Sequence, residues 1–179
     1  MNRLKNSIVY LSGAMDLVPD NGTQWRNLIK PFLLDLNIRP IDPCDKPEPL
    51  FGEKEDKNEY KELKTKYREE KDYDNLCKLM KKVRNTDLRF VDLCDFLIVN
   101  IDINVHACGT YNEVSIAVQQ KKPIIIRCEQ GKHNVPFWLF GCIPHETMFS
   151  TWDEVREYIK YINSDENPKT LNRWSIFNI

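Results

Sequence analysis

The 179-residue sequence has no CxxC pair, no apolar run long enough to cross a bilayer and no surplus of either charge sign. Each absence closes a class of function. Its cysteines, at positions 44, 77, 94, 108, 128 and 142, are scattered and form no disulfide framework. They read as reduced, partly buried thiols of a cytoplasmic protein. A zinc site would need Cys108, His106 and distant partners, and the usual ligand spacings are missing. With 26 Lys and Arg against 27 Asp and Glu, the net charge of −1 gives no field for a nucleic acid polymer or an anionic membrane. There is no basic, aromatic-interleaved patch either. A single small phosphate stays open. Asn2 to Lys5 followed by Ile8 to Leu11 superficially resembles a secretion signal. The apolar run is too short and Asp16 follows at once, so a first β-strand is expected there. No internal repeat is present.

What remains is a chain with 41% hydrophobic and 30% charged residues, enough for one core. Residues 1–163 are expected to form one α/β domain, with a charged helical excursion at about 43–72 and a tail over 164–179. Ile8 to Leu11 reads as the first strand. Asp20-Asn-Gly22 is a turn, and Thr23 is placed to cap a helix from Gln24 to Leu36, with Trp25, Leu28, Ile29, Phe32 and Leu36 at helical spacing. Pro31 marks a bend or break in it. Ile38 to Ile41 is a short strand that Pro40 places near an edge.

Asp42 to Pro49 reads as a proline-rich loop. Glu53 to Lys71 mixes both charge signs with little apolar surface, the pattern of a solvated helix or excursion; a lid over a pocket is the sharper alternative. Helical spacing returns over Leu76, Leu79, Met80, Val83, Leu88 and Val91. Phe96 to Ile101 is apolar on both faces, as a central parallel strand is. A helix from Gly109 to Gln120, a strand at Ile124 to Ile126, a short aromatic turn at Pro136 to Phe140 and a strand at Thr147 to Phe149 follow. Ser150 or Thr151 caps a last helix through Ile162. In the tail, Trp174, Ile176, Phe177 and Ile179 are candidates for docking on a partner. Alternating strands and helices predict a doubly wound, flavodoxin- or Rossmann-like three-layer sandwich around a parallel sheet of about five strands.

In such folds ligands bind at the carboxyl edge of the sheet. Glu113, in Gly109-Thr110-Tyr-Asn-Glu113, is expected in the first turn of the helix after the strand Phe96 to Ile101. There the helix dipole favours an ionised carboxylate. Such a group either attacks a sugar carbon directly or merely offsets the dipole. Gly109 permits close backbone approach, and Thr110 can cap the helix or bind a ligand hydroxyl. Asp87 is a second acid upstream of the same strand, with Asp92 and Asp95 after it; Asp87 and Asp95 would share a helix face. Tyr10 either orients the nucleophile or is a core residue. Ser12, Gly13 and Asp16 leave the first strand, where loops line the crevice, and Asp16 and Asn21 read either as sugar contacts or as turn residues.

Together, Tyr10-Leu-Ser-Gly13, Thr86-Asp87 through Asp95-Phe-Leu-Ile-Val99, Gly109-Thr110-Tyr-Asn-Glu113 and Lys122-Pro123 resemble the pattern of the nucleoside 2-deoxyribosyltransferase family over residues 7–140. The resemblance implies a nucleoside-binding domain in which Glu113 is the nucleophile, Asp87 handles the base and its proton, and Tyr10 lines the site. Ser12, Gly13, Asp16, Gly109, Thr110 and Asn134 would contact substrate, Asn134 across a subunit interface of a homo-oligomer. It implies transfer of the sugar between nucleobases. The alternatives are hydrolysis of nucleoside 5′-monophosphates and a non-catalytic nucleotide-binding protein. No cofactor or metal is expected. The chain departs from the pattern at Ala107, where family members carry an Asp; Asp102 and His106 lie nearby.

Overall fold

The computed structural model describes residues 2–45, 57–164 and Trp174. Five strands, β1 (Ile8–Gly13), β2 (Arg39–Ile41), β3 (Phe96–Ile101), β4 (Ile124–Cys128) and β5 (Met148–Phe149), form one sheet in the order β2-β1-β3-β4-β5. All four pairings are parallel. β2 lies at the edge, where Pro40 costs no central ladder bond.

Among the described residues, six α-helices accompany the sheet: α1 (Thr23–Asp35), α2 (Lys57–Glu69), α3 (Tyr73–Leu93), α4 (Cys108–Gln119), α5 (Phe137–Phe140) and α6 (Trp152–Asn163). Strand alternation sorts the core into two layers. Val9, Leu11, Phe96, Ile98 and Ile125 face α1 and α6, meeting Trp25, Ile29, Leu33, Val155 and Ile159. Tyr10, Leu97, Val99, Ile124 and Ile126 face α3 and α4, meeting Phe90, Val91, Val114 and Ala117. The doubly wound three-layer architecture follows. The chain leaves β1 toward one face and β3 toward the other, so a crevice opens between their carboxyl ends.

The local signals behave unevenly. Thr23 does not cap α1; Gly22 occupies the cap in a left-handed conformation, φ 74°. Asp20 supplies the acceptors instead, taking the Gln24 amide at 2.7 Å and the Gly22 amide at 3.1 Å. α1 runs through Pro31, and Leu28 is exposed while Arg26 is buried in its place. Thr151 does cap α6, in a reciprocal capping box with Glu154.

Asp95 is not on a helix face with Asp87, because α3 ends at Leu93. Its carboxylate accepts the Ile8 amide at 2.7 Å and clamps the amino ends of β1 and β3. Asp92 accepts from Gln120 at 2.7 Å. The Lys122 ammonium donates to the carbonyls of Val91 and Asp92, capping α3.

Within the charged excursion, α2 packs along α3. Two lysines tie it to the loop after β1: Lys64 to Asp16 at 2.5 Å and Lys61 to Asn21 at 3.3 Å. Residues 46–56, covering the rest of the proline-rich loop and the start of the charged run, lie outside the described residues, as do Ile176, Phe177 and Ile179. Trp174 does not await a partner: it is buried against Phe96, 5.0 Å between ring centroids, and donates its indole N–H to Tyr158 at 3.1 Å. Among the described residues, no helix is long and apolar enough to cross a membrane.

Candidate active site

Three elements converge on one carboxyl group. β1 sends Tyr10 and Ser12, two residues apart, to the same face of the sheet. α4 carries Thr110, Glu113, Val114 and Ala117 along its buried stripe, the spacing of one helix face. α3 presents Asp87, Phe90 and Val91 at the same three- and four-residue spacing, with Phe90 and Val91 buried. Tyr10 packs on Phe90, ring centroids 6.1 Å apart.

The Tyr10 hydroxyl donates to Glu113 Oε1 at 2.9 Å, and the Ser12 hydroxyl donates to Oε2. Both oxygens of the carboxyl group are thus held by neutral donors on one strand. Tyr10 and Ser12 are fully buried and Glu113 is 9% exposed. Burial is the main force on the Glu113 carboxyl, pushing it from an ordinary 4.5 up to about 7. The hydrogen bond from Ser12 pulls it back, the Asp87 charge raises it further, and Tyr10 and Arg26 lower it. Burial, then the charges of Glu113 and Asp87, hold the Tyr10 phenol well above its ordinary range, so it stays a proton donor.

This places Glu113 differently from the sequence-based expectation. It is the sixth residue of α4, in the second turn, and the first turn holds no acid. Its environment comes from burial and hydroxyl donors, and offsetting the helix dipole does not account for it. With a value near 7, the carboxyl is divided between its two protonation states at neutral pH.

The other expected residues divide. Asp87 does come together with Glu113 and Tyr10, but from inside α3, four turns along it. Ser12 lies behind the carboxyl as its hydrogen-bond donor. Gly13 serves packing: a Cβ there would stand 2.9 Å from the Trp25 ring and 3.1 Å from the Asn100 carbonyl. Asp16 is exposed and paired with Lys64. Gly109 has open space above it, and Thr110 is buried without capping α4, whose cap is Ala107. Asn134 lies in the short turn after β4, donating to the Gln130 carbonyl at 2.7 Å. Asp102 accepts from the Gln130 amide at 2.7 Å.

Sequence reading missed Arg26. It is fully buried and donates to the carbonyls of Leu11 at 3.1 Å, Gly13 at 3.0 Å and Gly22 at 2.7 Å. The available signal was an arginine within one residue of Trp25, on the apolar side of α1 and four residues after a turn glycine. None of the six cysteines forms a disulfide. Among the described residues, no group of three or more His, Cys, Asp or Glu is arranged to hold a metal ion.

A five-stranded parallel sheet in this order defines a doubly wound α/β protein, and the buried acid lies against the carboxyl half of β1. No family model and no curated protein matches the sequence. Among solved structures, the chain is similar to a 2-deoxyribosyltransferase from the psychrotolerant bacterium Bacillus psychrosaccharolyticus. Identity is 17% and the TM-score 0.59, covering 85% of this chain and 92% of that one. A Clostridium botulinum CMP N-glycosidase aligns at 14% identity and a TM-score of 0.46, over 86% of this chain and 98% of that one. The first likeness establishes the fold; the second adds nothing to it.

Proposed function

We propose that the protein is an N-glycosidic bond enzyme acting on 2′-deoxynucleosides or their 5′-monophosphates, with Glu113 as nucleophile. The observation that carries this reading is the Glu113 carboxyl held by Tyr10 and Ser12 beside Asp87. The ionised carboxylate attacks C1′, the C1′–N bond breaks, and a glycosyl ester forms. Asp87 delivers a proton to the departing base. An incoming base nitrogen then attacks C1′, loses its proton to Asp87, and frees the Glu113 carboxylate. The steps need no redox partner, so no cofactor enters them. The first structural neighbour, a 2-deoxyribosyltransferase, supports sugar transfer as the outcome.

Tyr10 and Ser12 act through Glu113, steering one oxygen toward the sugar while keeping the carboxylate solvated by two hydrogen bonds. Gly109, with open space over it, and Thr110 stand at the start of the same helix as sugar-side contacts. Asp16 and Gly13 frame the opposite loop. Asn134 completes the site of a neighbouring subunit in a homo-oligomer. Phe137 and Trp138, 92% and 84% exposed a few residues beyond it, supply apolar surface for that interface. Size-exclusion chromatography with light scattering decides the assembly: a monomer at micromolar concentration removes Asn134 from the site.

The test mixes the protein with thymidine and adenine, and separately with dCMP or dTMP, and follows free and exchanged base by chromatography. Exchange is expected, and Glu113→Ala abolishes it. Free base without exchange means water is the acceptor and the enzyme is a hydrolase. One observation favours a second reading, a non-catalytic nucleotide-binding protein: Ala107 caps α4 where a sugar-binding carboxylate was expected. Tight nucleotide binding with no turnover, unchanged in Glu113→Ala, supports that reading over the first.

A further inference from the structure

We propose that Arg26 is a positioning residue for the Glu113 carboxylate, acting through the end of β1 that carries Ser12. This rests on Glu113 being the nucleophile, but its geometry stands independently. The register of β1 with β2 stops at Tyr10 opposite Ile41. Along β1 the carbonyls alternate: Ser7 O accepts from β2 through the Arg39 amide, and Ile8 O accepts from the β3 side through the Asp95 amide. The carbonyls of Leu11 and Gly13 therefore point to the β2 side, where no strand remains.

Arg26 fills those two rungs. Its Nε takes Leu11 O at 3.1 Å and its Nη2 takes Gly13 O at 3.0 Å, so the guanidinium brackets Ser12 on both sides. The third arm holds Gly22 O at 2.7 Å and fixes the turn into α1. Glycine suits that position: its φ is 74°, and a Cβ there would collide with the Ala14 carbonyl oxygen and stand 2.5 Å from Nη1. The planar fork matters: a lysine ammonium can replace the charge but not two parallel rungs plus a third bond.

The cation also acts at a distance. Asp42 lies 3.5 Å from Arg26 Nε and is shared with Lys30, so two cations face one carboxylate and the cluster stays positive. That charge favours the ionised form of Glu113. The groups facing Glu113 are Tyr10 and Ser12 from β1, Asp87 from α3 and, behind the strand, Arg26. Asp87 and Arg26 thus oppose one another across the same carboxyl group. Arg26 touches no substrate in this arrangement; it sets where Ser12 stands and how readily Glu113 ionises.

The experiment titrates the Glu113 carboxyl by carbon NMR in ¹³C-glutamate-labelled protein, for wild type, Arg26→Met and Arg26→Lys, beside base-release kinetics at several pH values. In Arg26→Met the Glu113 midpoint is expected to rise, and kcat at pH 6.5 to fall about 10- to 100-fold with KM nearly unchanged. Arg26→Lys restores the midpoint but not the rate. If Arg26→Met does not fold, the pair Arg26→Lys and Ser12→Ala decides. Once Ser12 is gone, Arg26→Lys is expected to cost little more, whereas independent, additive losses overturn the proposal. A Glu113 midpoint and kcat unchanged in folded Arg26→Met also overturn it. Absence of base release from wild type sinks the proposed function instead, and the Glu113 titration still reports on Arg26.

Discussion

The two faces of the sheet treat buried polar groups in opposite ways. On the α1/α6 face, the inward-facing cations are given acceptors. Arg26 meets three carbonyls and Asp42, while Arg127 meets Asn100 and Glu129, both at 3.0 Å. On the α3/α4 face, a carboxyl group is buried against two hydroxyls and near a second acid, with no cation among the described residues in hydrogen-bond contact with it. Arginine hydrogen bonds on one side hold the carboxyl ends of β1, β3 and β4. Burial and the nearby acid on the other side leave a carboxyl group whose ionised form is disfavoured. A buried acid shifted this far, beside a second acid, is a candidate functional group.

The comparison breaks most severely at Asp87. In the proposed mechanism, Asp87→Asn removes the proton donor for the leaving base and is expected to lower kcat by about 10³-fold. It also removes a negative charge that raises the Glu113 carboxyl. The acid limb of the rate profile, set by Glu113 near pH 7, should move to lower pH in the residual activity. A limb that stays in place means the two acids do not interact.

Next comes the linkage of Glu113 to stability. Its folded value of about 7 lies above its ordinary 4.5, so the fold prefers the protonated form. The favourable contribution is complete below pH 4.5, declines as pH rises and is lost above 7, a span of about 3 kcal/mol. Glu113→Gln should therefore raise Tm by roughly 10 °C at pH 8 and by much less at pH 5. Equal changes at both pH values would show that the carboxyl is not proton-linked to folding.

On the α1/α6 face, Gly22→Ala tests the arginine cradle. The residue has φ 74° and would crowd Arg26 and the Ala14 carbonyl, a loss of about 2 kcal/mol measurable by urea denaturation. Unchanged stability would show the turn can move aside. The smallest effect is expected at the far end of that face, where Thr151→Ala removes the α6 capping box. About 1 kcal/mol is expected from the denaturation midpoint, without change in base release.

The two faces were also unequally legible. The apolar runs of β1, β3 and β4 and the helical stripes predicted a doubly wound parallel sheet, because periodicity and burial are properties of neighbouring residues. Glu113 and Asp87 stood out as acids next to structured segments, yet the reason they matter was hidden. A local reading placed Glu113 in a first turn, where the dipole would favour charge. Its place in the stripe Thr110, Glu113, Val114, Ala117 was visible and pointed inward instead.

Arg26 and Trp174 were misjudged or missed for one physical reason. A buried arginine is stable only where carbonyls converge, and an aromatic tail residue finds its own core only if the chain folds back. Neither condition is local.

The sequence alone determined the alternation of elements, the edge position of β2 through Pro40, and the acids and hydroxyls available for chemistry. Only the tertiary structure decided which of them meet. It brought Tyr10 and Ser12 from β1, Asp87 from α3 and Glu113 from α4 to one dry point, and it put Arg26 where β2 ends. The physical reason is that desolvation and hydrogen-bond matching depend on atoms about a hundred residues apart in the chain, as Tyr10 and Glu113 are.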